Sequence, residues 1–331
     1  MSKRVMREHM KERFGKTDSV LSLRPPLPNS LNIELNNTCN QKCEFCGFHG
    51  KYKTFDCKPS ALDFEFVKEI LDEAKRLGIG RKEVGYYLCG DVFLYPSFAE
   101  VVDYSKKLGF PYTFITTNGA LATPEKMKSA LDAGLDSVRF SVNAADRDTY
   151  RMIHGTDDFD IVIDHIRFTK EYIKKRNLNV ATSISCVVSK KQGPNLQKNI
   201  KEVFGEMVDD IIFIPVILDH LSDMKKAKED FQIQDEGEMV LNKEYICPIL
   251  FNTMYINSDG KVIPCCNAPY TNYCVYNLKE KLDLEEAWYS EGYNRLRRIF
   301  IEDDDDDGTI CQKCILRYKG VDRLSMEGFD I

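Results

Sequence analysis

The sequence predicts an α/β fold, in which a partial barrel of parallel strands is followed by a small C-terminal domain. Strand-like apolar runs alternate with amphipathic helix-like segments from residue 31 onwards, which is typical of a parallel sheet. The runs are nearly continuous in apolar residues, as expected for strands that are covered on both faces. From residue 245, cysteine, tyrosine and turn residues become frequent, and this change in composition indicates a second domain.

The alternation allows each element to be predicted in order. The predicted strands are 31–36, 83–89, 111–117, 136–142, 179–189 and 209–218. The predicted helices are 62–78, 97–109, 124–134, 159–176 and 195–205. The first two helices end at Gly78 and Gly109, and the third begins at Pro124, which are typical positions for these residues. These strand–helix units favour a partial (β/α)6 barrel of the TIM type, in which the chemistry lies where the strands end.

The chain divides into five predicted segments. They are an N-terminal extension 1–30, the barrel 31–218, a linker 219–244, the second domain 245–320 and a C-terminal tail 321–331. The extension is charged and ends in the stiff stretch RPPLPNS, and the linker is polar and mixed. Within the second domain, SDGKV predicts a hairpin turn.

Composition excludes several classes of function. Of the 331 residues, 43% are hydrophobic and 30% are charged, which is typical of a soluble globular protein. The net charge of -6 gives no support to nucleic-acid binding. There is no apolar run of about 18 residues, so we expect no membrane span, and the charged N-terminus does not resemble a signal peptide. We therefore expect a cytoplasmic protein, in which clusters among the 12 cysteines indicate metal binding or catalysis.

The most informative stretch, NNTCNQKCEFCGFHG, directly follows the first predicted strand and therefore lies at the barrel mouth. It places Cys39, Cys43 and Cys46 within one short loop. A four-iron cluster normally takes four cysteine thiolates, so three would leave one iron with an open position. An open position is also what distinguishes a catalytic metal site from a closed structural one. A zinc site is the alternative that three cysteines leave open.

The pattern CNQKCEFC resembles the signature of the radical S-adenosylmethionine (SAM) superfamily. The resemblance implies that Cys39, Cys43 and Cys46 are catalytic and hold a 4Fe-4S cluster whose open iron chelates SAM. It further implies that one electron cleaves SAM and releases a 5′-deoxyadenosyl radical, which abstracts hydrogen from the substrate. Phe45, just before the third cysteine, would lie near the adenine of SAM.

Three further segments resemble the family's SAM-binding segments. LCGDVFLYPSF follows the second strand and resembles the segment that holds the amino group of SAM, with Gly90 and Asp91 at the matching positions. TTNGA ends the third strand and resembles the family's Thr-Asn-Gly turn. SVNAADRDTYRMIHG follows the fourth strand, and its match implies SAM contacts for Ser141, Asn143 and His154.

The second cysteine group resembles the auxiliary-cluster domain of some radical SAM enzymes. The stretch 247–266, the stretch 277–300 and the final CQKC follow that pattern, and the chain has no cysteine after Cys314. This matches the shorter "twitch" form of the domain, called SPASM in its longer form, and implies one auxiliary 4Fe-4S cluster held by Cys247, Cys265, Cys311 and Cys314. Cys266 is the alternative to its neighbour Cys265. Four protein ligands would close the cluster, so it would move electrons.

The order and spacing of these four cysteines resemble the 2-deoxy-scyllo-inosamine dehydrogenase group of butirosin biosynthesis. The resemblance implies a radical SAM oxidoreductase that abstracts hydrogen from a secondary alcohol carbon of a sugar-like or cyclitol small molecule. The auxiliary cluster would accept the second electron, and a flavodoxin or ferredoxin would supply the first.

Three other functions remain open from the sequence. In an epimerase, a thiol such as Cys186 or Cys266 would return hydrogen to the substrate radical. A peptide-modifying enzyme would often carry an N-terminal peptide-binding module, for which we expect the roughly 30 residues before the barrel to be too few. A non-catalytic zinc or iron–sulfur scaffold would leave SAM intact.

Overall fold

A computed structural model describes a large part of the chain. The described residues are 21–54, 58–216, 222–231, 240–242, 244–267, 273–302, 309, 311, 314 and 317–319. The predicted C-terminal tail, most of the N-terminal extension and part of the linker therefore lie outside the described residues. The five-segment division stays a prediction.

The centre of the fold is a parallel sheet in which each strand pairs with the next along the chain. Its six strands are β1 (Ser30–Ile33), β2 (Glu83–Tyr86), β3 (Thr113–Thr117), β4 (Ser137–Ser141), β5 (Ala181–Val188) and β6 (Asp210–Pro215). All five pairings from β1 to β6 are parallel. The predicted α/β fold with a partial (β/α)6 barrel is confirmed.

Most of the helices that follow these strands cover the outer face of this sheet. They are α1 (Phe64–Leu77), α2 (Phe98–Lys107), α3 (Pro124–Asp132), α4 (Arg147–His154), α5 (Phe159–Arg176), α6 (Leu196–Phe204) and α7 (Met224–Asp230). The sequence did not predict α4, because its eight residues are mostly polar and it begins directly after a strand-end segment. Its N-terminus is nevertheless capped, since the Asp146 side chain accepts from the Thr149 backbone N–H. None of the described helices combines the length and apolar character that crossing a membrane requires.

The two faces of the strands have different partners. Side chains such as Val84, Ile115 and Ile184 belong to the main core between sheet and helices. Residues that alternate with this set, including Phe114 and Ile212, form a separate apolar cluster on the opposite face, inside the barrel. The interior is therefore filled at this level, and space for a substrate must lie nearer the strand ends.

Most of the predicted strands run too far at their C-terminal ends, although β3 ends at Thr117 as predicted. β2 was predicted to reach Cys89 but leaves the ladder after Tyr86. The Cys89 backbone N–H instead donates to Glu34 Oε1 at 2.8 Å, and the other carboxylate oxygen of Glu34 accepts from Ser258 N at 3.0 Å. A buried carboxylate thus replaces strand pairing at the mouth.

Part of the C-terminal region joins the same sheet, whereas its first and last strands pair antiparallel in a separate two-stranded sheet. Its strands are β7 (Val240–Leu241), β8 (Thr253–Ile256), β9 (Lys261–Ile263), β10 (Tyr276–Asn277) and β11 (Tyr318–Lys319), and its helices are α8 (Pro248–Asn252), α9 (Leu284–Trp288) and α10 (Glu291–Ile301). β8 pairs in parallel with β1, so the sheet continues beyond the barrel. β8 and β9 are antiparallel around the predicted SDGKV turn. Arg297 is fully buried and holds this region together, because it donates to the carbonyls of Leu250 and Trp288.

Candidate active site at the barrel mouth

The three-cysteine loop turns tightly as it crosses the barrel mouth. Cys46 N donates to the Cys43 carbonyl at 2.9 Å, and Gly50 N donates to the Cys46 carbonyl at 3.0 Å. A β-carbon on residue 50 would lie 2.2 Å from the Cys43 oxygen and 2.6 Å from the Cys46 oxygen. Only glycine fits this position, so Gly50 allows the loop to close on itself.

The loop brings its three thiols close enough together to interact electrostatically. Burial raises the pKa of Cys43 well above its ordinary value, and the neighbouring Cys46 and Cys39 raise it further. Burial also raises the pKa of Cys39 to about 11 and that of Cys46 in the same direction. Because each pKa exceeds neutral pH, these cysteines are protonated thiols until a metal displaces their protons.

Each of the three sulfurs faces a nitrogen that can donate a hydrogen bond. Asn118 Nδ2 lies 3.7 Å from Cys39 Sγ, the His49 backbone N lies 3.4 Å from Cys46 Sγ, and His154 Nδ1 lies 3.4 Å from Cys43 Sγ. N–H donors directed at sulfur stabilise thiolates and the clusters that they hold. The donor set of this loop therefore fits an iron–sulfur cluster with three cysteine ligands.

In the part of the chain that the structure describes, no three His, Cys, Asp or Glu side chains are arranged to hold one metal ion. In a four-iron cluster each cysteine binds a different iron, so its ligands need not converge on one point.

Gly90 and Asp91 lie against the start of the same loop. A β-carbon on residue 90 would lie 2.2 Å from the Asn36 carbonyl oxygen, so this close approach also requires glycine. The Asp91 backbone N donates to the Thr38 carbonyl at 2.8 Å. The segment after β2 is thus held directly beside the chain that leads to the cysteines.

The Asp91 carboxylate is only 2% exposed and is occupied by the protein itself. One oxygen accepts from the Phe93 backbone N–H at 3.0 Å, and the other accepts from Thr117 Oγ1 at 2.7 Å and the Asn118 N–H at 3.0 Å. Burial raises the pKa of this carboxyl, whereas these donors lower it. Its observed role is to join the ends of β2 and β3.

Asn143 and His154 are also paired within the chain. Asn143 Oδ1 accepts from the Val187 N–H at 2.7 Å, and the Asn143 backbone N–H donates to His154 Nε2 at 3.1 Å. The His154 ring is fully buried and stacks on Tyr150 with a centroid distance of 4.0 Å. Burial lowers the pKa of His154 to about 3, so the ring is neutral. The site residues predicted after β4 thus form one buried network next to Cys43.

The other two residues predicted to contact SAM lie at different places around the mouth. Ser141 ends β4, is partly exposed and is in register with Ser185 of β5. The Phe45 ring lies 6.4 Å from that of Phe231, beside α7. The same apolar cluster contains Tyr52, whose hydroxyl donates to Asp230. α7 therefore packs on the outer part of the cysteine loop.

The structure also brings the C-terminal cysteines together. Cys265 lies close enough to Cys266, Cys311 and Cys247 for each to raise its pKa, although burial is the largest cause. The pKa of Cys311 is raised in the same way by burial and then by Cys247 and Cys314. All four predicted ligands are in this set, together with the alternative Cys266.

Aromatic and polar side chains in or next to the neighbouring strands β2, β3, β4 and β8 contact one another on the side of the C-terminal cysteine group. The hydroxyls of Tyr87 and Tyr255 are 3.3 Å apart. The Arg139 guanidinium lies 5.5 Å from the centre of the Tyr87 ring, and its Nε donates to Thr116 Oγ1 at 3.0 Å. Tyr87 and Tyr255 also border the apolar cluster that contacts Cys265. These contacts connect the barrel strands with the C-terminal domain.

Two important residues were not singled out from the sequence. Gln41 lies inside the cysteine motif, and its Oε1 is 2.8 Å from His154 Nδ1. Its Nε2 donates to the Tyr150 hydroxyl at 2.7 Å. A polar side chain between two closely spaced ligands was the available signal for Gln41. Tyr150 carried no such signal, because its helix was not predicted.

Comparison with protein families gives two matches. The model of the radical SAM superfamily matches residues 33–189, and the model of the SPASM iron–sulfur cluster-binding domain matches residues 247–315. The first match includes the three-cysteine loop and ends next to β5, and the second begins at Cys247. Each match therefore covers one of the two cysteine groups.

Individual proteins resemble the chain more distantly. A probable GTP 3′,8-cyclase of Saccharolobus solfataricus is 28% identical over 307 residues, covering 85% of this chain and 92% of that protein. The structure of Streptococcus suis SuiB bound to precursor peptide SuiA is 19% identical, with a TM-score of 0.63 over 82% of this chain and 67% of that one. The structure of BtrN in complex with AdoMet and 2-DOIA is 13% identical, with a TM-score of 0.54 over 86% and 92% of the two chains.

At these identities the two solved structures establish the fold alone. The two family matches identify the cofactors as SAM and 4Fe-4S clusters, and the thiol-rich loop with its N–H donors fits that assignment. This chain is a radical SAM enzyme, built from a radical SAM superfamily domain and a C-terminal iron–sulfur cluster-binding domain of the SPASM type.

Proposed function

We propose that this enzyme is a dehydrogenase that oxidises a secondary alcohol of a sugar-like or cyclitol small molecule. Cys39, Cys43 and Cys46 hold the cluster that binds SAM, and Cys247, Cys265, Cys311 and Cys314 hold an auxiliary cluster that accepts an electron. When bound, SAM and its cluster supply a 5′-deoxyadenosyl radical that takes a hydrogen atom from the carbinol carbon. A flavodoxin or ferredoxin type of protein supplies the first electron.

The observation that carries this proposal is the complete cysteine set of the C-terminal domain. Cys247, Cys265 and Cys311 lie within electrostatic reach of one another, and Cys314 of Cys311. Four thiolates would occupy all four irons of a cube and leave no position for substrate. After hydrogen abstraction, the substrate must still lose one electron and one proton to become a ketone. A cluster whose four irons all have protein ligands, and which lies beside the barrel mouth, is suited to accept that second electron.

The residues around Tyr87 and Tyr255 suit a substrate with many hydroxyls. Tyr87 and Tyr255 present neighbouring hydroxyls, and Arg139 is held beside them by Thr116 and the Tyr87 ring. In this proposal they orient the substrate between the two clusters. Because the Asp91 carboxylate is fully engaged within the chain, the backbone of Gly90 and Asp91 would hold the amino group of SAM, with Ser141 nearby.

Epimerisation is less well supported, because Cys186 is badly placed to return hydrogen to a substrate. Cys186 alternates along β5 with Ser185 and Val187, and it belongs to the core between sheet and helices. It is fully buried, and burial raises its pKa far above the ordinary value. The other thiol considered for this role, Cys266, packs against the apolar cluster of Ile249, Tyr255 and Ile263.

Radical cyclisation of a purine nucleotide is a second candidate function. The GTP 3′,8-cyclase relative motivates it, and the Arg139 guanidinium at the barrel mouth would suit a nucleotide phosphate. The two candidates differ in product: a ketone from an alcohol, or a cyclised nucleotide. They can therefore be separated in one assay.

The test uses anaerobically purified, iron-loaded enzyme with SAM and a low-potential reductant in deuterated water. It is incubated separately with aminocyclitols, sugar alcohols and GTP. We expect ketone from a member of the first two groups, in an amount equal to the 5′-deoxyadenosine formed, and no deuterium in the product. A cyclised nucleotide would establish the second candidate. One deuterium at an inverted carbon would instead establish epimerisation.

A further inference from the structure

His154 and the central cysteine of the loop are connected by an unusually complete hydrogen-bond network. Two backbone bonds join the loop to the end of α4, because Lys42 N donates to the His154 carbonyl at 3.2 Å and Glu44 N donates to the Ile153 carbonyl at 2.9 Å. α4 therefore ends directly behind Cys43. The free carbonyls at a helix C-terminus need such partners, so this contact also stabilises the helix end.

The network determines which nitrogen of His154 carries the proton. The Asn143 backbone N–H donates to Nε2, so Nε2 must present its lone pair. Nδ1 faces Gln41 Oε1 at 2.8 Å, and a carbonyl oxygen can only accept. The proton of the neutral ring is therefore on Nδ1.

Gln41 is oriented by a third partner. Its Nε2 donates to the Tyr150 hydroxyl at 2.7 Å, which directs Oε1 towards His154. The opposite orientation of the amide would place an NH2 group against the Nδ1–H. The same Nδ1 lies 3.4 Å from Cys43 Sγ, so one N–H is shared between an amide oxygen and a sulfur.

We propose that His154 is a positioning residue that donates its Nδ1–H to the thiolate of Cys43 and thereby raises the reduction potential of the cluster. Gln41 competes for the same N–H and limits the effect. This inference rests on the proposed role of Cys43 as a cluster ligand, but not on the identity of the substrate. It assigns the Nδ1–H of His154 to the Cys43 sulfur, while Nε2 accepts from the Asn143 backbone N–H.

The physical reason is electrostatic. Reduction adds negative charge to the cluster and its thiolates, and a hydrogen bond to sulfur stabilises that charge. The bond is strong here because the ring is buried and the local dielectric constant is low. Removing the donor makes reduction less favourable, whereas removing the competing acceptor makes it more favourable.

The experiment compares the His154→Phe and Gln41→Leu variants with the wild-type enzyme. Phenylalanine retains the stacking on Tyr150 but has no N–H. In anaerobic, iron-loaded enzyme, the midpoint potential is measured by redox titration monitored by electron paramagnetic resonance, using the signal that changes when SAM is added. We expect His154→Phe to make reduction about tenfold less favourable, equivalent to ~59 mV for one electron. We expect Gln41→Leu to shift the potential in the opposite direction, by on the order of threefold in the same equilibrium.

The matched control is His165→Phe. His165 donates its Nδ1–H to the Gly119 carbonyl oxygen at 2.8 Å, and among the described residues it has no hydrogen bond to a cysteine. We expect its potential to equal that of the wild type. Unchanged potentials in both test variants, or shifts in the same direction, would overturn the inference, because a purely structural role would not give opposite signs.

Two other results are also decisive. If His154→Phe does not assemble its clusters, the sign of the Gln41→Leu shift decides the inference alone. Each of the two clusters gives its own electron paramagnetic resonance signal. If neither signal changes when SAM is added, both are titrated, and the inference requires that the midpoint potential of one of them shifts in the variants. A wild-type enzyme that cleaves SAM but makes no ketone would refute the proposed dehydrogenase and leave the potentials interpretable.

Discussion

The two cysteine groups of this enzyme are assembled in different ways. Cys39, Cys43 and Cys46 come from one tight loop, and each sulfur faces an N–H donor from Asn118, His154 or the loop itself. The C-terminal set comes from the start of α8, the end of β9 and the stretch after α10, so a whole domain must fold to bring it together. A short loop can therefore present three cysteine ligands by itself, whereas the set of four in this protein needs long-range packing of the C-terminal domain.

Removing one cysteine ligand from the loop should have the largest effect, and it should distinguish the roles of the two cysteine groups. Cys43→Ser should lower 5′-deoxyadenosine formation by on the order of 1000-fold, because the cluster that binds SAM loses a ligand. Iron should fall from about eight to about four per chain, as expected for the loss of one of two four-iron clusters. Product analysis and iron determination measure both.

Cys274→Ser is the control for this substitution, because Cys274 is exposed and its sulfur contacts only the Tyr276 carbonyl among the hydrogen-bond partners described for it. It should retain full iron and full SAM cleavage. Normal cleavage in Cys43→Ser would contradict the proposed ligand set.

Removing a ligand from the other group should have a narrower effect. Cys311→Ser should retain SAM cleavage within about threefold but lower ketone formation by roughly 100-fold, because the electron acceptor is lost. The ratio of ketone to 5′-deoxyadenosine measures this uncoupling. If both products fell together, the auxiliary cluster would have a role in SAM cleavage, and the functional division between the groups would be wrong.

A pair of neighbouring substitutions sharpens the assignment within the C-terminal group. We expect Cys265→Ser to lose about four irons and Cys266→Ser to retain them, since four ligands complete one cluster. Cys311 and Cys247 both act on Cys265 electrostatically, and Cys266 also acts on Cys247, so the two substitutions decide between the neighbours. Iron loss only in Cys266→Ser would reverse the assignment.

Substitution of Asp91 tests how much the hydrogen bonds between the ends of β2 and β3, next to the cysteine loop, contribute to stability. Asp91→Ala leaves three buried donors without their acceptor, so the free energy of unfolding should fall by about 2–4 kcal/mol. Asp91→Asn retains one oxygen and should cost less. Urea denaturation of the anaerobic protein measures both. Equal stability of Asp91→Ala and wild type would show that these hydrogen bonds are easily replaced.

The smallest expected effect depends on pH. Lys51 and Tyr52 lower the pKa of Asp230 from 3.8 to about 2, so the folded state favours the ionised carboxylate. The resulting stabilisation is present above about pH 4 and is lost as the pH falls through 2. The difference in urea midpoint between wild type and Asp230→Asn should therefore shrink from pH 5 to pH 2. A difference that grows on acidification would contradict the contact between α7 and the cysteine loop.

Much of the fold followed from local patterns. α5 begins and ends at the predicted residues, because its apolar spacing persists over eighteen positions. The strand ends were less predictable, since after Tyr86 the backbone bonds to a side chain, Glu34, that is distant in sequence. α4 was missed because its polar surface is compensated by an Asp146 cap and by contacts with the cysteine loop.

The sequence by itself determined the alternation of strands and helices, the mouth position of Cys39, Cys43 and Cys46, and the presence of a second cysteine group. These are consequences of spacing along the chain, which periodicity and motif length express directly. Only the tertiary structure decided which buried polar groups meet: His154 with Cys43, Asp91 with Thr117, and Cys265 with Cys311. Such pairs lie 26 to 111 residues apart where a hydrogen bond joins them, and packing selects them, because a buried polar group takes whichever partner the fold brings within reach.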